Sequence, residues 1–283
     1  MSSDKRLAPI GIFDSGVGGL SVLRAIRELM PDESIIYFGD QGHVPYGPRQ
    51  LQQVRDFSEG IARFLLGNDA KIIIVACNAA SAAALIYLRQ TFLDISFVGM
   101  EPAVKPAVEH TETGVVGVLA TPATFQGALY ASVVERFATG VKLLQSTCPG
   151  LVQQIELGEL DSPLTRTILE AALLPMLKEG IDTVVLGCTH YPFVIPLIQQ
   201  IVGEKVRVID PAPAVARQTN RLLEVSGILS QAKGSGEIQF FTSGNVQALQ
   251  NLLPRLIGEV GIVRSVEWGG DRVLNQQSLL FSD

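Results

Sequence analysis

Two apolar runs that each stop at a cysteine constrain the fold of this chain more than any other feature. Ile72-Ile73-Ile74-Val75-Ala76 leads into Cys77-Asn78-Ala79-Ala80-Ser81, and Val184-Val185-Leu186-Gly187 leads into Cys188-Thr189-His190-Tyr191-Pro192. Runs of β-branched and aliphatic residues without polar alternation belong to strands covered on both faces, the condition of a parallel sheet between helices. Each cysteine then stands at the C-terminal edge of a strand, where loops border a crevice and helix N-termini point into it. Gly187 is expected to let the backbone turn out of the sheet at that edge. Taken singly, either cysteine is better explained as a small buried hydrophobe. The pair is what asks for chemistry.

The strand-turn-helix pattern recurs along the chain. Pro9 to Phe13 reads as a first strand, followed by the turn Asp14-Ser15-Gly16-Val17-Gly18-Gly19 and a helix with Leu20, Leu23, Ile26 and Met30 on one side. Strands are expected at Ser34 to Phe38 and Ser96 to Met100, with a helix over Arg49 to Leu66 between them. Gly114 to Ala120, followed by Thr121-Pro122, then echoes the opening strand; 63 residues separate Asp14 from Cys77, and 67 separate Thr121 from Cys188. This approximate repeat predicts an α/β protein of two pseudo-symmetric α/β domains, with mainly parallel sheets facing a shared cleft. The first domain is expected over 1–100 plus 211–283 and the second over 101–210. Stiff boundaries are expected at Glu101-Pro102 with Lys105-Pro106, and at Asp210-Pro211-Ala212-Pro213.

The remaining stretches are less distinctive. A strand near Val141 to Leu144, a helix over Ser162 to Lys178, a strand at Val206 to Ile209, a helix near Ala214 to Val225, a strand at Ile238 to Phe241 and a helix near Val246 to Ile257 complete the pattern. Cys148, beside Pro149 in a turn, reads as structural. Judged by its neighbours alone, Glu156 is a solvated carboxylate, His43 a surface or capping histidine, Trp268 a packing residue, and Lys233-Gly234-Ser235-Gly236-Glu237 an exposed loop.

Composition removes several function classes. With 283 residues, 47% of them hydrophobic and 18% charged, the chain can bury a sizeable core. A net charge of -6 without a Lys/Arg cluster argues against a nucleic-acid scaffold. Three cysteines without a CxxC pair make neither a disulfide framework nor a zinc spacing, so reduced thiols and no metal are expected. The N-terminal apolar run, broken by Pro9, is too short for a signal peptide, and no apolar span approaches bilayer length, so a cytoplasmic protein without a membrane partner is expected. The glycine turn is neither GxGxxG nor a P-loop, and no lysine sits in a strand-end motif, so a nucleotide or pyridoxal cofactor is not expected.

Two thiols at equivalent strand ends suit a reaction that is itself nearly mirror-symmetric, such as inversion of a carbon centre. One group removes a proton from one face while the other returns a proton to the opposite face. A cysteine-nucleophile hydrolase using Cys188 or Cys77 with His190 remains the competing enzyme class, but has no need of the second thiol. A two-lobed amino-acid binding protein is the non-enzyme alternative, though such proteins are usually exported.

The motifs Gly11-Ile12-Phe13-Asp14-Ser15-Gly16-Val17-Gly18-Gly19, Pro45-Tyr46-Gly47, Ala76-Cys77-Asn78, Thr121-Pro122-Ala123-Thr124, Cys148-Pro149 and Leu186-Gly187-Cys188-Thr189-His190-Tyr191-Pro192 together resemble the glutamate racemases. The resemblance implies cofactor-independent interconversion of L- and D-glutamate, supplying the D-isomer for bacterial peptidoglycan. It implies Cys77 and Cys188 as the acid/base pair, Asp14 assisting Cys77, and His190 with Glu156 assisting Cys188. Ser15, Tyr46, Gly47, Asn78, Ala79 through its backbone N–H, Thr121 and Thr189 would hold the substrate. The partner is then the small molecule glutamate, and a homodimer is compatible with the family. Aspartate is the runner-up substrate; aspartate-type relatives tend to carry glutamate after Cys-Thr, where this chain has His190. Two positions depart from the family: Ala79 replaces the usual threonine, and His43 stands where arginine is common, so no role is carried onto it.

Overall fold

The computed structural model describes residues 4–232, 234–269 and 274–276; Lys233 of the expected exposed loop, together with 1–3, 270–273 and 277–283 of the expected first domain, lies outside the described residues. Along the chain run β1 (Ile10–Asp14), α1 (Leu20–Leu29), β2 (Ile35–Gly39), α2 (Leu51–Gly67), β3 (Ile72–Val75), α3 (Asn78–Thr91) and β4 (Phe97–Gly99). Next come α4 (Val104–His110), β5 (Val115–Ala120), α5 (Pro122–Gln126), α6 (Ala128–Phe137), β6 (Lys142–Ser146), α7 (Leu151–Glu156), α8 (Pro163–Lys178), β7 (Thr183–Gly187), α9 (Ile195–Val202) and β8 (Arg207–Ile209). The chain then adds α10 (Ala212–Val225), β9 (Ile238–Thr242), α11 (Val246–Ile257), β10 (Val263–Trp268) and β11 (Leu274–Gln276).

These strands form two sheets, ordered β11-β10-β9-β2-β1-β3-β4 and β6-β5-β7-β8. All pairings are parallel except β10 with β11. The order β2-β1-β3-β4 is the order β6-β5-β7-β8, so the repeat in sequence is a repeat of topology, with β1 equivalent to β5 and β3 to β7. In each sheet the chain winds outward from its first strand in both directions. The crevice therefore opens between the C-terminal ends of β1 and β3, and of β5 and β7.

The apolar runs are explained by burial on both faces. Ile72 and Ile74 join the cluster containing Leu20, Leu23 and Ile26 of α1, while Ile73 and Val75 join the one containing Val54, Phe57 and Ile61 of α2 with Leu85 and Leu88 of α3. A side-chain period of two, with both sides apolar, gives an uninterrupted hydrophobic string. The first sheet is further pinned by a buried ion pair, Lys71 Nζ to Glu33 at 2.6 Å; Lys71 also donates to the carbonyls of Arg6 and Ile228.

Several local expectations need correction. At the two expected boundaries Lys105-Pro106 lies inside α4 and Pro213 inside α10; both prolines occupy the first turn, where the missing N–H has no helical acceptor. Gly187 has no left-handed dihedral. A Cβ there would come 2.8 Å from the Cβ of Ala120 on the paired strand, so it is close packing that requires the glycine. Two strands, β10 and β11, extend the first sheet beyond what alternation suggested. Among the described residues no helix is long and apolar enough to cross a membrane.

Candidate active site

Cys77 lies one residue beyond β3, after Ala76, and forms the N-cap of α3, its Sγ accepting from the Ala80 N–H at 3.5 Å, with Ser15 Oγ 3.9 Å away. Cys188 holds the equivalent place after β7, with its Sγ 3.8 Å from His190 Nδ1. Both thiols line one cavity of about 20 Å³, together with Ser15, Tyr46, Gly47, Asn78, Ala79, Thr121, Thr189 and His190. Pro45, from the Pro45-Tyr46-Gly47 motif, and Val152, which no sequence signal had marked, complete the wall. The Asn78 amide is buried, and neither of its polar atoms finds a partner among the described residues. An unsatisfied buried amide is unfavourable by about 1–3 kcal/mol, which a polar ligand in the cavity would offset. A larger cavity of about 490 Å³ lies elsewhere, walled by Arg89, Lys105 and Arg136 but by neither thiol, so size is outweighed by chemistry in locating the site.

The two thiols have different neighbours. Behind Cys188, His190 Nε2 donates to Glu156 Oε1 at 2.6 Å. Burial disfavours the charged imidazole, but Cys188 and Glu156 outweigh it and hold the His190 pKa well above its ordinary value. Glu156 is not the solvated carboxylate its neighbours in sequence suggested: its side chain is 12% exposed, at the end of α7. Burial pushes its carboxyl up, yet hydrogen bonds from His190, Gln41 and the Val17 N–H together bring it below the ordinary carboxylate value. Beside Cys77 stands Asp14, wholly buried, accepting from the Gly16 N–H at 3.1 Å and from Thr189 Oγ1 at 3.3 Å. Burial and the Asp14 charge push the Cys77 thiol well above its ordinary range. Asp14 itself is raised, first by burial.

The glycine turn exists to let these groups meet. A Cβ on Gly16 would fall 1.9 Å from Glu156 Oε1, and one on Gly18 would fall 2.3 Å from His190 Nδ1. The turn belongs to the first sheet, whereas Glu156 and His190 belong to the segment that builds the second. Ser21 Oγ donates to the Thr189 carbonyl at 3.0 Å across the same boundary. Gly47 closes from the first side onto Thr121, whose Cβ would lie 3.0 Å from a side chain placed there.

The loop after β2 is held by a residue that sequence reasoning missed. Asp40, wholly buried, accepts from Tyr46 Oη at 2.5 Å, Ser243 Oγ at 2.5 Å and Trp268 Nε1 at 3.0 Å, with His43 Nδ1 3.0 Å away. His43 is thus not a surface histidine; it is half-buried and stacks on Phe57 with ring centroids 4.1 Å apart. Trp268 packs, as its type suggests, and also donates a hydrogen bond. No local pattern could mark Asp40, because two of its partners, Ser243 and Trp268, lie on a distant loop and strand reached only by folding. Among the described residues no group of three or more His, Cys, Asp or Glu side chains is arranged to hold a metal ion.

Paired strand-end thiols on one cavity, each with its own ionisable neighbour, fit an isomerase that inverts a carbon centre, a racemase. The chain belongs to the Asp/Glu/Hydantoin racemase family, which matches residues 11–219. It is 48% identical over 252 residues to a glutamate racemase of Ectopseudomonas mendocina, covering 89% of this chain and 95% of that one. Among solved structures it is similar to a glutamate racemase isoform from Bacillus anthracis, with a TM-score of 0.82 and 35% identity over 93% of this chain and 98% of that one. It is also similar to the Francisella tularensis glutamate racemase solved with D-glutamate, with a TM-score of 0.80 and 28% identity over 93% and 98%.

Proposed function

We propose that this protein interconverts L- and D-glutamate without an added cofactor, by proton transfer to and from Cys77 and Cys188, and that it works in the cytoplasm to supply D-glutamate for peptidoglycan. The observation that carries the reading is the placement of the two thiols at equivalent strand ends on one cavity. Similarity to glutamate racemases over nearly their whole length supports the choice of substrate.

In one direction the Cys188 thiolate takes the α-proton from one face of glutamate, leaving a carbanion whose charge spreads into the α-carboxylate. The Cys77 thiol then gives its own proton to the opposite face, and the enantiomer leaves behind a protonated Cys188 and a Cys77 thiolate. The reverse direction exchanges the roles, and proton exchange with solvent restores the starting state. Asp14 keeps the proton on Cys77 until carbanion charge develops, because its negative charge disfavours an early thiolate. His190, charged and held by Glu156, steadies the Cys188 thiolate through Nδ1. The Ser15 and Thr189 hydroxyls, the Asn78 amide and the Ala79 and Gly47 backbone hold the substrate's charged ends, with Tyr46 and Thr121 shaping the wall. A cavity of about 20 Å³ holds roughly one water, so admission of glutamate parts the halves and breaks the contacts that Asp14 and Val17 make across the boundary.

Circular-dichroism polarimetry with L-glutamate, repeated with L-aspartate and without added cofactor, tests the reading. Loss of optical activity with glutamate, and α-deuterium appearing mainly in the product enantiomer early in heavy water, are the expected results; racemisation of aspartate in preference to glutamate would overturn the substrate assignment. A smaller effect is expected at Ala79, which is buried on the cavity wall near the start of α3. Ala79→Thr restores a hydroxyl whose hydrogen bond contributes about 0.5–1.5 kcal/mol, so the Michaelis constant should fall about 2- to 12-fold with kcat unchanged. An unchanged or raised constant counts against a substrate contact at this position.

A further inference from the structure

We propose that Gln41 is a positioning residue for the Glu156–His190 pair, reaching across from the opposite half so that the acid/base equipment of Cys188 is complete only when the two halves are together. The inference rests on the racemase reading and deepens it. Glu156 Oε1 serves both His190 Nε2 and the Val17 N–H, at 2.6 and 2.7 Å. Among the described residues, the hydrogen bond to the other oxygen, Oε2, comes from Gln41 Nε2 at 3.0 Å. Gln41 follows β2 in the first sheet, so this contact exists only across the boundary.

The amide is itself oriented. Thr242 Oγ1, at the end of β9, donates to Gln41 Oε1 at 3.0 Å, and its own lone pair is taken by the Gly244 N–H at 3.0 Å. Gly244 presses against the stem of Gln41, since a Cβ there would lie 2.6 Å from the Gln41 Cβ. Turning the amide over would set its oxygen against the Glu156 carboxylate, so the end that donates always faces Oε2. The resulting line runs from Thr242 through Gln41, Glu156 and His190 to Cys188. Gln41 touches neither thiol and does not line the cavity, so its effect on the reaction passes through Glu156.

The test replaces Gln41 with methionine, which keeps length and removes both hydrogen bonds. Losing a hydrogen bond to a charged group should lower kcat about 10- to 100-fold in both directions, with the Michaelis constant changed less than about threefold. The substrate α-deuterium isotope effect separates positioning from simple loosening. It should rise in the direction in which Cys188 removes the proton and fall in the other, where Cys77 removes it and reprotonation by Cys188 becomes limiting. Because Gln41 holds the Glu156 carboxyl down, the acid limb of the kcat profile should also move to higher pH. Combined with Glu156→Gln, Gln41→Met should add less than about a twofold loss. Independent losses in the double variant, or isotope effects unchanged in both directions, overturn the proposal. Thr242→Val, which only frees the amide to turn, should show the same isotope pattern with a smaller fall and carries the test if Gln41→Met does not fold. A wild-type enzyme that exchanges no α-proton overturns the racemase reading instead, whereas wild-type exchange with a fully active Gln41→Met overturns this inference alone.

Discussion

Cys77→Ser and Cys188→Ser are each expected to lower kcat for glutamate racemisation by about 10²- to 10⁴-fold, the range that a positioned proton-transfer group supplies. Serine is close to cysteine in volume and both sites are buried, with contacts that a hydroxyl can keep, from the Ala80 N–H at Cys77 and from His190 at Cys188, so melting temperatures should stay within a few degrees of wild type. The hydroxyl is far less acidic than the thiol and cannot act as a base here. A hydrolase with a single cysteine nucleophile would lose activity with one substitution and tolerate the other, so near-normal turnover in either variant rejects the paired mechanism. The neighbours refine the expectation. Asp14→Asn removes a charge that raises the Cys77 thiol, so the alkaline limb of kcat, where Cys77 loses the proton it must donate, should move to lower pH. A profile that is unmoved would show that Asp14 acts on something other than Cys77.

Gly16→Ala is expected to lower kcat by about 10²-fold without touching either thiol or the cavity wall, because displacing a catalytic group by an ångström is enough to lose that much. The added methyl would sit 1.9 Å from Glu156 Oε1 and 2.7 Å from Cδ. Glu156 cannot simply swing away, since its oxygens are tied to His190, Val17 and Gln41. Either the carboxylate leaves His190 or the two halves fail to close, and both outcomes disarm Cys188. Gly67→Ala is the control: nothing lies within 4 Å of a Cβ at the end of α2, so activity should be unchanged and stability should rise by about 0.4–1 kcal/mol. Full activity in Gly16→Ala would mean that the Glu156–His190 contact is dispensable.

The parallel strands were legible because burial on both faces writes itself into consecutive residues: Ile72 to Val75 and Thr183 to Leu186 are strands in the sequence and in the fold. The repeat was legible because its two copies keep the same topology over similar lengths, which set Cys77 opposite Cys188 before any coordinates. The helix α4 carried no such signal. Lys105-Pro106 resembles a break when only composition is weighed, but a proline in a first helical turn forfeits no hydrogen bond. The strand β10 escaped because Val263 to Trp268 alternates weakly and lies near the sheet edge, where one face is only partly covered.

By itself the sequence determined the alternating α/β pattern, its internal repeat and the strand ends that carry Cys77, Cys188, Asp14 and Thr121, because each depends on neighbours a few residues away. Only the tertiary structure decided what stands behind the thiols. Glu156 lies 34 residues from His190, 115 from Gln41 and 139 from Val17, and nothing in Gln154-Ile155-Glu156-Leu157-Gly158 records those partners. Asp40 gathers Ser243 and Trp268 from 203 and 228 residues away. Apolar burial has a period that a sequence displays. The pairing of buried polar groups has none, because a hydrogen bond is made between single atoms and its partner is chosen by the packing of whole sheets.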